Sequence, residues 1–209
     1  MRVLPASPDN LAIALQILRS GGVIAHATET CYGLACDLSN PDAVAKLFAI
    51  KQRPPDQPVS ALFASVEEAK KYVEWNDEAQ RLADKYLPGP LTMILPIHAE
   101  AHLFPTPNPN PTPNPTLGIR VSSSSVAHQL VYEFESPIST TSANLHAHPN
   151  PYSAADILNQ FSTQKHHPDL ILDSGPLPPT PPSTVINLTD PKRKIERSGG
   201  IVPSKKKPG

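Results

Sequence analysis

Twenty-seven prolines punctuate this chain of 209 residues, and their positions limit how long any helix or strand in it can be. Proline fixes φ and lacks a backbone donor, so it belongs at element starts, edges and loops. Six prolines occupy alternate positions from Pro105 to Pro115, and five more fall within Pro176–Pro182. Only Asn and Thr separate the first group, so residues 105–115 offer no apolar face and read as a solvated, extended loop. No run of 18 apolar residues survives between breakers, so a membrane span is not expected, and the start MRVLPASPDN lacks the apolar stretch of a secretory leader. Cys31 and Cys36 are the only cysteines. That excludes a disulfide-stapled scaffold and points to a reducing, cytoplasmic home. With 39% apolar residues and a net charge of −1, the chain is not a disordered one. Charge is uneven: residues 192–209 hold seven Lys/Arg against one Glu, which leaves −7 on the rest. A basic tail on an acidic body suits a local anion contact and not a body that wraps nucleic acid.

Helical stripes and short apolar runs alternate along the first two-thirds. Ser7-Pro8 opens a helix with Leu11, Leu15 and Leu18 on one face, and Gly21-Gly22 ends it. Val23–Ala25 reads as a buried strand running into the polar segment Thr28–Gly33. Asn40-Pro41 opens a second helix with Val44, Leu47 and Phe48 inward, and Lys51 continues that stripe at its C-terminal end. Val59–Ala64 reads as a strand. Ser65 with Glu68 forms a capping box, Asn76 caps a further helix, and Leu91–Leu95 follows as a strand. Leu117–Val121 is a strand carrying Arg120. A helix over 124–135, a strand over Pro137–Thr141 and a helix capped by Ser153 come next. Three short strands, Leu170–Leu172, Thr184–Leu188 and Lys194–Arg197, close the pattern. Alternation followed by crowded strands predicts an α/β fold with a twisted mixed sheet, parallel and antiparallel, and flanking helices. The expected organisation is one domain over 1–200, then a basic, disordered tail over 201–209.

No G-x-x-x-x-G-K-[ST] or G-x-G-x-x-G motif is present. Four polar clusters lie at predicted element ends instead: Thr28–Gly33, Lys51–Pro54, Thr140–Asn144 and Ser183-Thr184. Ligands of open α/β sheets sit outside strand ends, so such clusters can converge. Lys51, Arg53, Arg120 and Arg197 supply donors that match phosphate and carboxylate oxygens. Singly, each cluster is equally a turn or a solvated helix end.

Together the clusters resemble the YrdC-like family. Thr28-Glu29-Thr30-Cys31-Tyr32-Gly33-Leu34 is similar to its TET-x-YGL, and Lys51-Gln52-Arg53-Pro54 to its K-x-R-P. Pro88-Gly89-Pro90-Leu91-Thr92 resembles its PGPLT, Gly118-Ile119-Arg120-Val121 its arginine-bearing strand, and Ser142-Ala143-Asn144-Leu145 its SANL. Ser183-Thr184-Val185-Ile186 and Arg197-Ser198-Gly199 resemble its last two motifs, and the order holds over roughly residues 10–200. The resemblance implies a sheet around a basic concave cavity, in a short single-domain form. It implies synthesis of threonylcarbamoyl-AMP and pyrophosphate from L-threonine, bicarbonate and ATP with magnesium, for the t6A modification of tRNA. Proteins that transfer the threonylcarbamoyl group downstream are implied partners, and tRNA is a further one.

By the same resemblance, Lys51 and Arg53 are the catalytic pair. Lys51, Arg53, Thr116, Ser142, Asn144, Asn150 and Arg197 would line the ATP site, with Asn144 supporting the SAN turn. Thr28, Thr30, Tyr32, Arg120, Thr140 and Ser183 would hold threonine, with Arg120 on its carboxylate. Leu62 stands where the family often has a histidine, and the proline loop precedes Thr116. No protein metal site is expected.

Three other readings compete. Cys31, Cys36, His146 and His148 could supply four zinc ligands, although their spacing is not that of a zinc knuckle. Cys31 could be a nucleophile. The fold could also serve a non-catalytic, RNA-binding protein of the YciO type, with Lys205-Lys206-Lys207 adding phosphate contacts.

Overall fold

The computed structural model describes residues 1–103, 115–190 and 194–203. Most of the predicted proline loop and the tail beyond residue 203 lie outside the described residues. Among the described residues, sixteen elements follow one another. β1 (Arg2–Pro5) leads into α1 (Pro8–Arg19), β2 (Ile24–Ala27), β3 (Tyr32–Ala35), α2 (Pro41–Lys51) and β4 (Ser60–Leu62). Then come α3 (Val66–Ala69), α4 (Asp77–Tyr86), β5 (Leu91–Pro96), β6 (Thr116–Arg120) and α5 (Ser125–Phe134). The last elements are β7 (Ile138–Ser142), α6 (Ala154–Phe161), β8 (Leu170–Asp173), β9 (Thr184–Asn187) and β10 (Lys194–Arg197).

Local chemistry sets the helix starts. Ser7, Asn40, Ser65, Asn76 and Ser153 each accept a first-turn backbone N–H on the side chain, and Pro8 and Pro41 occupy first-turn positions. The Glu68 carboxylate closes the α3 start by accepting from Ala64 N–H, one residue before the cap.

All ten strands join one sheet in the order β1-β8-β2-β3-β7-β4-β6-β5-β9-β10. β1/β8, β8/β2, β4/β6 and β5/β9 are parallel, and the other neighbours are antiparallel. The mixed sheet therefore stands as predicted. Two strands were not foreseen. β1 is largely exposed and has little apolar signal. β3 starts inside the segment read as a polar loop, because Tyr32 and Gly33 turn back immediately against Ala27 and His26.

Alternation along the strands sorts side chains onto two faces. One face packs α2, α4 and α6 over Ala25, Leu34, Ala61, Ile119 and Met93. The other packs α1 and α5 over Ile24, Ala35, Leu62, Ile138 and Leu172. These two helices cover only part of their face. Along β7 it passes from Ile138 under the helices to Thr140 and Ser142, and along β4 from Leu62 back to Ser60, the register partner of Thr140. Among the described residues, no helix is long and apolar enough to cross a membrane.

Candidate active site on the uncovered sheet face

The β2–β3 turn is built by its own threonines. Thr28 Oγ1 donates to Cys31 O at 2.7 Å and accepts the N–H groups of Thr30 and Cys31 at 3.2 and 3.3 Å. Thr30 Oγ1 lies 3.0 Å from Thr28 Oγ1. This turn meets the end of β6. Arg120 Nη2 donates to Glu29 Oε1 at 2.9 Å and to Thr30 Oγ1 at 3.0 Å, and Ser122 Oγ donates to Glu29 Oε2. Arg120 Nε is buried and has no hydrogen-bond partner.

A second cluster joins the end of α2 to the turn after β7. Lys51 is 2% exposed, and its Nζ donates to Ser142 O (2.6 Å), Asn144 O (3.0 Å) and Asn144 Oδ1 (3.1 Å). All three ammonium donors are thus spent on the SAN turn. Ser142 Oγ donates to Asn144 Oδ1 at 2.6 Å, and Asn144 Nδ2 donates to His148 O. The stem packs on the apolar stripe as expected, but the amine fixes a turn and does not stand free. Arg53 closes its own loop, donating to Gln57 O (2.8 Å) and Pro58 O (3.1 Å).

The third cluster belongs to β9, β10 and β5. Arg197 donates from Nε to Ser183 O (3.0 Å) and from Nη2 to Ser183 Oγ (2.8 Å). Ser183 Oγ also lies 3.0 Å from Thr92 Oγ1. Gly199 is required here, since a Cβ would fall 2.1 Å from Pro182 O. At Gly118 a Cβ would fall 2.4 Å from Ser60 Oγ, so a side chain there would displace that hydroxyl.

Electrostatics tie the clusters together. Burial, and then Arg53, pull the Lys51 ammonium down to about 7. The Arg53 guanidinium is lowered by burial and by Arg197, and that of Arg197 by burial and by Arg120. Besides burial, each of these cations is thus depressed by a neighbour: Lys51 by Arg53, Arg53 by Arg197, and Arg197 by Arg120. Their mutual repulsion would be relieved by a bound anion.

The structure gathers Thr28, Thr30 and Arg120 in the first cluster, Lys51, Ser142 and Asn144 in the second, and Ser183 and Arg197 in the third. Arg53 joins them through its charge. Thr140 is buried on the same face. Thr116 shares that face with Arg120, at the opposite end of β6. Asn150 is half-buried in the loop before α6. Tyr32 is not gathered. Its side chain is buried on the opposite face, and its hydroxyl lies 2.9 Å from Asp173 Oδ1 and 2.7 Å from Gly175 O, with one proton to share between them. Leu62 lies under α5 in register with Arg120, packed as a core residue.

Glu29, Ser122, Thr92 and Ser60 were not singled out from sequence. Two-residue spacing was the available signal: Ser122 is Arg120 plus two, and Ser60 is Leu62 minus two. Cys31 and Cys36 are buried, and burial raises both thiols, Cys36 to about 12, which disfavours a thiolate nucleophile. His146 and His148 are exposed, so the four candidate zinc ligands do not gather. Among the described residues, no group of three or more His, Cys, Asp or Glu side chains could hold a metal ion.

The ten-stranded mixed sheet and its flanking helices define an α/β protein with polar clusters gathered at its strand ends. The chain belongs to the Sua5/YciO/YrdC family, whose model, described as "Telomere recombination", matches residues 16–199. It is 32% identical over 192 residues to threonylcarbamoyl-AMP synthase of Pyrococcus abyssi, an alignment covering 91% of this chain and 54% of that protein. The crystal structure of P. abyssi Sua5 complexed with L-threonine superposes with a TM-score of 0.81 at 30% identity, over 95% of this chain and 56% of that one. E. coli YciO superposes with a TM-score of 0.80 at 28% identity, over 95% of both chains. The chain thus spans about half the length of the Pyrococcus protein and nearly all of YciO.

Proposed function

We propose that this protein is a threonylcarbamoyl-AMP synthase, a nucleotidyltransferase that condenses L-threonine, bicarbonate and ATP and releases pyrophosphate. The observation that carries the reading is the gathering at one sheet face of Arg120 with Thr30, and of Arg197 with Ser183 and Thr92, beside the turn that Lys51 holds. The reaction needs no covalent nucleophile from the protein. Threonine's amine and bicarbonate give a carbamate with loss of water, and a carbamate oxygen attacks the α-phosphorus as pyrophosphate leaves. What the protein must supply is the alignment of two anions, bicarbonate and ATP, with the zwitterion threonine, and neutralisation of the transferring phosphate.

In this reading Arg53 and Arg197 meet phosphate oxygens. Lys51 and Asn144 hold the SAN turn so that Ser142 and its neighbouring backbone face the nucleotide. Thr116 and Asn150 complete the ATP site. Arg120 takes the threonine carboxylate, with Thr28, Thr30, Thr140 and Ser183 around the amino acid. ATP enters as its magnesium complex, the ion being held by phosphate oxygens and water. The product serves t6A formation in tRNA by proteins acting downstream, in the cytoplasm.

A second reading keeps the fold, which superposes on YciO over 95% of both chains, without the chemistry: a non-catalytic, RNA-binding protein. Incubation with ATP, magnesium, L-threonine and bicarbonate separates the two. The synthase yields a threonylcarbamoyl-adenylate mass. An RNA-binding protein yields none, and binds RNA with steep salt dependence.

A further inference from the structure

Arg120 and Glu29 form an ion pair at 2.9 Å whose side chains are only 9% and 15% exposed. Such a shielded pair is expensive to build and is a weak source of stability. Each member also has a second, neutral partner. Thr30 Oγ1 accepts from Arg120, and Ser122 Oγ donates to Glu29. Arg120 keeps one buried donor, Nε, without any partner. The pair can therefore open while both side chains stay oriented. What best replaces an internal ion pair is a molecule carrying the same two charges in reverse. An α-amino acid zwitterion is such a molecule.

We infer that Glu29 is the residue that binds the substrate's α-ammonium. The incoming zwitterion exchanges into the Arg120–Glu29 pair, its carboxylate on Arg120 and its ammonium on Glu29. This rests on the amino-acid substrate proposed above and adds to it a second recognition point. Each protein charge trades one partner for another, so none is left unpaired. A molecule with the carboxylate but no ammonium can open the pair only by stranding Glu29, so the pair selects amino acids against their 2-hydroxy acid counterparts.

The test is calorimetric binding of L-threonine, and of its deaminated analogue 2,3-dihydroxybutanoate, to wild type and Glu29→Gln. Wild type should bind L-threonine and discriminate strongly against the analogue. Glu29→Gln should bind threonine at least about tenfold more weakly, the scale of one lost charge-assisted hydrogen bond. The same variant should bind the analogue as well as wild type does, or better, because no carboxylate is stranded. The conservative Glu29→Asp variant should keep the discrimination. Equal losses for both ligands, or no change in threonine affinity, would overturn the assignment. Should Glu29→Gln fail to fold, Ser122→Ala, which takes away the one donor a stranded Glu29 keeps, must widen the discrimination for the assignment to stand. Binding is read without turnover, so a wild type that binds threonine but makes no adenylate would sink the synthase reading and leave this one in place.

Discussion

Two buried titratable side chains, His26 and Lys51, show how the site is held. His26 is fully buried; its Nδ1 donates to Ala27 O at 3.1 Å, and its Nε2 has no partner. Burial is the main cause that lowers its pKa from 6.5 to about 4. The unfolded chain therefore takes up a proton that the folded chain refuses. The resulting stabilisation is complete above about pH 6.5 and is lost as the pH falls towards 4, a change of roughly 3 kcal/mol. Replacing His26 with Phe removes both the titration and the orphan acceptor. Urea denaturation across this pH window should show a flatter profile for His26→Phe, with stability at pH 7 no lower than wild type. An unchanged acid slope would refute the role given to His26.

Lys51 acts through a turn. Lys51→Ala should lower turnover by about a hundredfold or more, the scale for losing a group that organises charge stabilisation. It also leaves Ser142 O and Asn144 O without their ammonium donor, so a stability loss of about 1–3 kcal/mol should accompany it. Steady-state kinetics beside thermal unfolding check both, and a folded variant with normal turnover contradicts the account.

At the scale of elements, the β2–β3 hairpin carries the most chemistry in the fewest residues. Its turn places Thr30 and Glu29 at the end of β6, while β3 runs through the core with Tyr32, Leu34 and Cys36 all inward. Cys31 and Cys36 stand at opposite ends of this strand, about 16 Å apart at the rise of an extended chain. Both act as small apolar side chains. Cys31→Val with Cys36→Ala should remain folded and active at a cost of about 0.5–2 kcal/mol. Loss of activity in a folded double variant, together with stoichiometric zinc in the wild type, would reverse that assignment.

The same hairpin marks the limit of what the sequence discloses. Helical stripes such as Leu11, Leu15 and Leu18, with caps at Ser7 and Asn40, were legible because period and capping are local. So were the strands with continuous apolar runs. β3 was hidden because Gly33 and Tyr32 read as loop residues until Ala27 and His26 are known to lie opposite. At the site, residue types within motifs were legible and their partners were not. Lys51 looked free because its acceptors, Ser142 O and Asn144 O, are backbone atoms some 90 positions away in the chain. Tyr32 belongs to the same motif as Thr28 and Thr30 but points to the opposite face, and a one-residue phase difference in a strand decides that.

The described residues form one ten-stranded sheet, and the helices cover only part of one of its faces. α1 and α5 seal its apolar part. The rest carries Arg120, Thr140, Ser142 and Ser183, with Arg53 and Arg197 reaching in from a loop and an edge strand. Such a face suits several anions held side by side better than one neutral ligand, and this joint requirement is the central claim. It is tested by pyrophosphate release from ATP and magnesium with L-threonine and bicarbonate supplied together, singly and not at all. The account predicts release only with both co-substrates present, alongside a threonylcarbamoyl-adenylate product. Release at the same rate from ATP alone would contradict it.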